Sequence, residues 1–303
     1  MDLSEFQDKY NTAVKRITQV LESDKTVLAA CLYGSANEGN SWVHSDIDIH
    51  VIVSDEKAGW GEVTLVQDEF IVNIDKFSRE HYIRCIENRV GWGFLTASIF
   101  ANSKLLFSKD PIFYELYDDV KSLGKKEAKI SLLKITCDLI LPMEKAYKHI
   151  SFTKNLHRAL PYILNIAEGF ALLILSSKGI RPKKFNISSA SEYEPELFKS
   201  IYYDVVNNEM SEQIYMIAID CAFAYFRKNQ EKYFEFLIEY LKSENRAFTV
   251  TEIDKYFSTG IHGTSTICEW LVKENLLSRA SSPLKLTDKS NITMSEAAYF
   301  ITY

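Results

Sequence analysis

The sequence predicts an α+β fold: a mixed sheet with flanking helices, followed by a helical bundle and a small mixed segment. Three observations predict it. Segments between residues 26 and 75 alternate in hydropathy with the two-residue period of strands. From about Lys125 to Lys242 glycine and proline are scarce, and apolar residues recur at helical spacing. The last sixty residues return to a mixture of helix and strand patterns. These changes place domain boundaries at 1–120, 121–244 and 245–303, with Asp110-Pro111 breaking the chain near the first.

In the first region a helix begins near Ser4, which with Gln7 resembles a capping box. Phe6, Tyr10, Val14, Ile17 and Leu21 share one face of it. Thr26 to Tyr33 reads as a short buried strand running into Gly34-Ser35, and Ala36 to Ser45 as a polar loop. Asp46 to Val53 reads as a strand because Ile47, Ile49, Val51 and Val53 alternate with Asp46, Asp48 and His50. Glu62 to Gln67 and Phe70 to Asp75 form a hairpin around the turn Asp68-Glu69. Ser78 caps a helix over Arg79 to Arg89, Gly91-Trp92-Gly93 makes a connection, and Lys104 to Phe107 adds a strand.

Asp46 and Asp48 project from one face of their strand, about 6–7 Å apart along it at about 3.3 Å per residue. Two like charges so placed call for a cation, and magnesium takes one or two carboxylates together with phosphate oxygens. Gly34 lets backbone approach a ligand, while the Ser35 hydroxyl and nearby N–H groups can bond phosphate. No GxxxxGK[ST] segment occurs, which argues against a P-loop NTPase. Asp75, ending the neighbouring strand, is the candidate third carboxylate. His50 lies on the face of the aspartate pair and His44 in the loop before it.

Gly34-Ser35, ten intervening residues, then Asp46-Ile47-Asp48 and further apolar residues resembles the nucleotidyltransferase superfamily that includes DNA polymerase β and kanamycin nucleotidyltransferase. The resemblance covers roughly the first 110 residues. It implies that Gly34, Ser35 and Ser45 hold the triphosphate of an NTP, and that Asp46, Asp48 and Asp75 are catalytic and bind Mg²⁺, with two ions expected. The implied reaction transfers a nucleoside monophosphate to an acceptor hydroxyl, most simply of a small molecule, and releases pyrophosphate. Asp75 is also a candidate general base. The alternative is a catalytically silent nucleotide-binding or transcription-linked regulatory protein.

In the helical region, Gly179 and Pro182 give a helix stop in the expected order. Relatives use such a bundle to form the acceptor pocket. Lys154, His157, Arg158, Lys183 and Lys184 are candidate anion contacts, though each alone reads more simply as a solvated charge. Glu168, isolated in an apolar stretch, needs a partner or a cavity. Beyond it, Val250 to Phe257, a turn at Gly260 and Ser265 to Leu277 resemble a helix-turn-helix. Pro283 to Thr287 and Ala297 to Tyr303 then supply the strands of a winged-helix-like module. Six basic and six acidic residues balance between 246 and 303, which argues weakly against DNA as a partner.

Composition sets the frame. The 303 residues suffice for two or three cores, and 47% apolar content excludes a disordered chain. A net charge of −6 leaves no basic footprint for nucleic acid. The five scattered cysteines, odd in number and without a CxxC pair, read as reduced thiols of a cytoplasmic protein. The start MDLSEFQDKY lacks signal-peptide character. No membrane span is expected, because Asn165 and Glu168 interrupt the longest apolar stretch. No arginine is followed four to six residues later by histidine, so the helical region does not read as a nuclease of the kind that pairs with small nucleotidyltransferases. No GxSxG or HExxH motif occurs.

Overall fold

The computed structural model describes residues 3–34, 42, 44–55, 57, 60–87, 99, 102–121, 125–180, 186–287 and 289–301. The chain divides into two compact units, Met1–Gly124 and Lys125–Tyr303.

The first unit is built on a five-stranded sheet with strand order β3-β4-β2-β1-β5, from β1 (Val27–Tyr33), β2 (Ile47–Val53), β3 (Trp60–Gln67), β4 (Phe70–Ser78) and β5 (Lys104–Ser108). All pairings are antiparallel except β2 with β4, which run parallel in the register Asp48↔Asn73 and His50↔Asp75. One face is covered by α1 (Leu3–Ser23), whose Phe6, Tyr10, Ala13, Val14 and Ile17 pack on Ile47, Ile49, Val51, Val72 and Ile74. The alternation read in the Asp46–Val53 segment thus buries its apolar set under this helix and turns Asp48 and His50 to the other face. Ser4 lies inside α1 rather than ahead of it. On the opposite face, α2 (Arg79–Glu87) and α3 (Ile112–Lys121) supply Tyr82, Cys85, Ile86, Phe113 and Tyr117 against Ala29, Cys31, Ile52 and Phe77. Ser78 Oγ caps α2 by accepting the His81 N–H at 3.4 Å. Asp68 makes the β3–β4 turn in a left-handed conformation, φ 54°. Gly91-Trp92-Gly93 lies outside the described residues.

The second unit is led by α4 (Lys125–Ser151), α5 (Leu156–Ser177) and α6 (Glu212–Lys242), with short helical turns between residues 187 and 207. By length and composition α5 can cross a membrane, with a mean hydropathy of 1.6, contrary to the expectation that no stretch would. Within the unit it is a core helix: Ile163, Ile166, Ala167, Phe170 and Ile174 are buried. It stops where the sequence put the stop, with Gly179 at φ 71° and Ile180 N–H donating to the Leu175 carbonyl at 3.0 Å.

Residues 248–301 add β6 (Phe248–Thr249), α7 (Val250–Phe257), α8 (Ile261–Lys273), β7 (Leu277–Leu284) and β8 (Met294–Ile301), the strands pairing in the order β6-β8-β7. Helix α8 starts four residues earlier and ends four earlier than Ser265 to Leu277. Gly260, at φ 78°, opens it, and Asn275, at φ 60°, turns the chain into β7. The β7–β8 hairpin likewise begins ahead of Pro283 and Ala297.

Candidate active site

The sheet face away from α1 carries a row of polar side chains from three adjacent strands: Tyr33 on β1, Asp48 and His50 on β2, Asn73 and Asp75 on β4. Asp46 stands just before β2, exposed, and Asp48 is half-buried. Asn73 joins the two aspartates, its Nδ2 donating to Asp46 Oδ2 at 2.7 Å and to Asp48 Oδ1 at 3.2 Å. Its Oδ1 accepts from Thr64 Oγ at 3.3 Å, a residue of β3. Partial burial raises the Asp48 carboxyl above its ordinary range; the Asn73 amide opposes this, and the charges of Asp46 and Asp75 add to it. A site that disfavours negative charge in this way is one that a cation would relieve.

Gly34 follows β1 with φ 88°, a conformation that glycine adopts freely. Any β-carbon there would overlap the Asp48 carboxylate. The absence of a side chain is therefore what lets the turn lie against Asp48. Ser35 lies outside the described residues. Ser45 is buried, and its hydroxyl accepts the Trp42 N–H at 3.0 Å while its own N–H donates to the Trp42 carbonyl, so it shapes the approach to Asp46.

Asp75 sits within β4, three residues before its end, rather than at the strand terminus. Its Oδ2 accepts the Tyr33 hydroxyl at 2.7 Å and lies 3.7 Å from His50 Nε2. Tyr33 stacks on His50 with ring centroids 4.1 Å apart. Burial, then the Asp75 hydrogen bond and the acidic charges, push the Tyr33 phenol far above its usual range, so it stays protonated and donates. Burial holds the His50 imidazole down to about 3, so it is neutral. Behind it, Tyr82 OH lies 3.4 Å from His50 Nδ1 and 2.7 Å from Tyr117 OH, and Ser103 Oγ donates to Tyr117 at 3.0 Å. A buried polar chain thus runs from Asp75 into the core between the sheet and α2 and α3.

Among the described residues no group of three His, Cys, Asp or Glu side chains is close enough together to hold a metal. Asp46 and Asp48 converge; Asp75 joins a different set of partners. The donors that fit a divalent cation are the two carboxylates beside the Gly34 turn, with the Asn73 amide between them. Asn73 and Tyr33 were not singled out in the sequence. The polar residue alternating with Val72 and Ile74 was visible, but its pairing with Asp48 is a property of strand register.

The remaining candidates fall in the second unit. Glu168 accepts the Asn186 N–H at 3.4 Å, and partial burial raises its carboxyl. Its partner is thus a helix-start backbone group. Lys154 pairs with Glu212, and Arg158 donates its backbone N–H to the Asn155 cap at 3.0 Å. His157 is exposed, and Lys183 and Lys184 lie outside the described residues.

A mixed five-stranded sheet, with a glycine turn leading to two carboxylates on one strand, defines a nucleotidyltransferase-like fold. In agreement, residues 15–112 match the family described as polymerase beta, nucleotidyltransferase, and this stretch is a domain of that superfamily. The whole chain shares its fold with a nucleotidyltransferase-like protein from Exiguobacterium sibiricum, at a TM-score of 0.68 and 12% identity, over 96% of this chain and 99% of that one. No curated protein matches the sequence.

Proposed function

We propose that this chain is a Mg²⁺-dependent nucleotidyltransferase, moving a nucleoside monophosphate from an NTP to an acceptor hydroxyl of a small molecule with release of pyrophosphate. The observation that carries the reading is the meeting of Asp46 and Asp48 against a side-chain-free turn at Gly34, inside a domain of this superfamily. Asp46 and Asp48 would hold the cation, and the Gly34-Ser35 turn would lie along the triphosphate. Magnesium, when bound there, neutralises phosphate charge and acidifies the acceptor hydroxyl. The rest is positioning. The bond from acceptor oxygen to the α-phosphorus forms as the α–β bridging bond breaks, pyrophosphate takes the electron pair, and the hydroxyl proton goes to a carboxylate base, for which Asp75 is the candidate.

The second reading, a catalytically silent nucleotide-binding or regulatory protein, is favoured by one observation: among the described residues no third carboxylate joins the pair. Calorimetry of NTP binding with and without Mg²⁺ separates the readings when followed by an acceptor screen with label on the α-phosphate. Mg²⁺-dependent binding lost in Asp46→Asn/Asp48→Asn, with label transferred to an acceptor, supports the enzyme. Binding without Mg²⁺ and without any transfer supports the silent protein.

A further inference from the structure

We infer that Asn73, rather than a third carboxylate, completes the Asp46–Asp48 pair, so that this site holds one divalent cation instead of two. The inference rests on the reading of the pair as the metal site. Three features of the strands carry it. Asn73 is the register partner of Asp48 on the parallel neighbour, and side chains paired across such a ladder share a face. Its amide already spans both carboxylates, at 2.7 and 3.2 Å, the position a bridging cation would take. Asp75, one pleat further along, is held by the Tyr33 hydroxyl and lies beside His50.

Asn73 can serve in either state of the site. Without a cation, its NH₂ donates to the two acids and tempers their repulsion. With one, a half-turn of the amide presents Oδ1 as a neutral oxygen ligand. That rotation keeps the Thr64 contact, because a hydroxyl that donated to Oδ1 can accept from Nδ2. Two carboxylates and an amide supply two negative charges, enough to balance one divalent ion. In the protein without nucleotide, a second ion would find no further anionic ligand at the pair and would leave uncompensated positive charge. On this assignment Asp75 holds no cation: it fixes Tyr33 at the mouth of the Gly34 turn and keeps its place as the candidate base.

The test counts ions directly. Mn²⁺ is titrated into the full-length protein and free Mn²⁺ is followed by electron paramagnetic resonance. The wild type is expected to bind one ion per chain. Asn73→Asp, which restores an acid across from Asp48, should add a second site or tighten the first by about tenfold, since ligand charge count sets affinity. Asn73→Ala should weaken the single site by a similar factor, and Asp75→Asn should leave count and affinity within about twofold of wild type. Circular dichroism verifies that each variant is folded. Two ions on the wild type, one of them lost in Asp75→Asn, would overturn the inference and leave the transferase reading standing. No bound ion on the folded wild type would overturn the inference, and the transferase reading falls with it only if Mg²⁺-dependent NTP binding is absent as well.

Discussion

A β-carbon on Gly34 would collide with the Asp48 carboxylate, on a backbone whose φ of 88° already disfavours any side chain. Gly34→Ala is therefore expected to act twice. The left-handed backbone costs about 1–2 kcal/mol of stability, and displacement of Asp48 should weaken Mn²⁺ binding by about tenfold or more, on the scale that misplaced ligands cause. Thermal denaturation and the Mn²⁺ titration read the two effects separately. At this scale the sequence was informative about Gly34, Asp46 and Asp48, because their spacing is local: a strand end, a loop, a strand start. It said less about Asn73 and Asp75. Both were visible as polar positions alternating with apolar ones, but which of them faces Asp48 depends on how two strands, separated by the β3 arm, align. Sequence pattern fixes the face of a strand and leaves its register to tertiary packing.

Among the elements, α7 is the one whose start is most fully specified. Thr249 and Glu252 form a reciprocal capping box, Thr249 Oγ accepting the Glu252 N–H at 3.2 Å and Glu252 accepting the Thr249 N–H at 2.8 Å. Arg246 donates to the same carboxylate at 2.9 Å. Thr249→Ala is expected to cost about 1 kcal/mol, the usual value of such a cap, measured by urea denaturation. The pH dependence has a definite sign. The backbone hydrogen bond from Thr249, followed by Arg246, lowers the folded-state pKa of Glu252 below its ordinary value. Its contribution is then complete above the unfolded carboxylate range and is lost as pH falls through the folded value. The difference between wild type and Glu252→Gln, which removes the titrating group, should accordingly shrink between neutral and strongly acidic pH. A difference that grew on acidification would contradict this account. The boundaries of α8 were less legible than its existence. Apolar periodicity continued through Leu276 and Leu277, whereas the break is made by the left-handed Asn275, a stop signal that hydropathy does not register.

Across the whole molecule, each unit has its own core. In the second, Phe226 is fully buried and meets Phe170, Tyr233, Phe234 and Trp270 with ring centroids 5.1–6.4 Å apart. Phe226→Ala is expected to remove about 3–5 kcal/mol from the stability of that unit, seen as faster hydrogen exchange along α5 and α6. Charge is also a property of this scale. With a net charge of −6 and no excess of basic residues after 245, the chain is expected to leave the mobility of duplex DNA unchanged in a gel-shift series, even at low salt where phosphate contacts are strongest. A retarded band that disappears as salt rises would count against this. Composition made the charge argument available from the start. The aromatic cluster around Phe226 was not, because its members come from separate elements and only packing unites them.

The parallel pairing of β2 with β4 carries a consequence for how acids are counted in a chain like this one. Sliding β4 by two residues would keep every side chain on its face and would bring Asp75 opposite Asp48, giving three acids in a row without altering a single residue. The hydrophobic core forbids the slide. It would carry Val72, fully buried opposite Ile47, past the start of β2 and out from under α1. Its apolar surface would return to water at about 25 cal/mol per Å². One valine, next in sequence to Asn73, thus acts as a ratchet tooth: its burial decides which of two polar residues the aspartates meet.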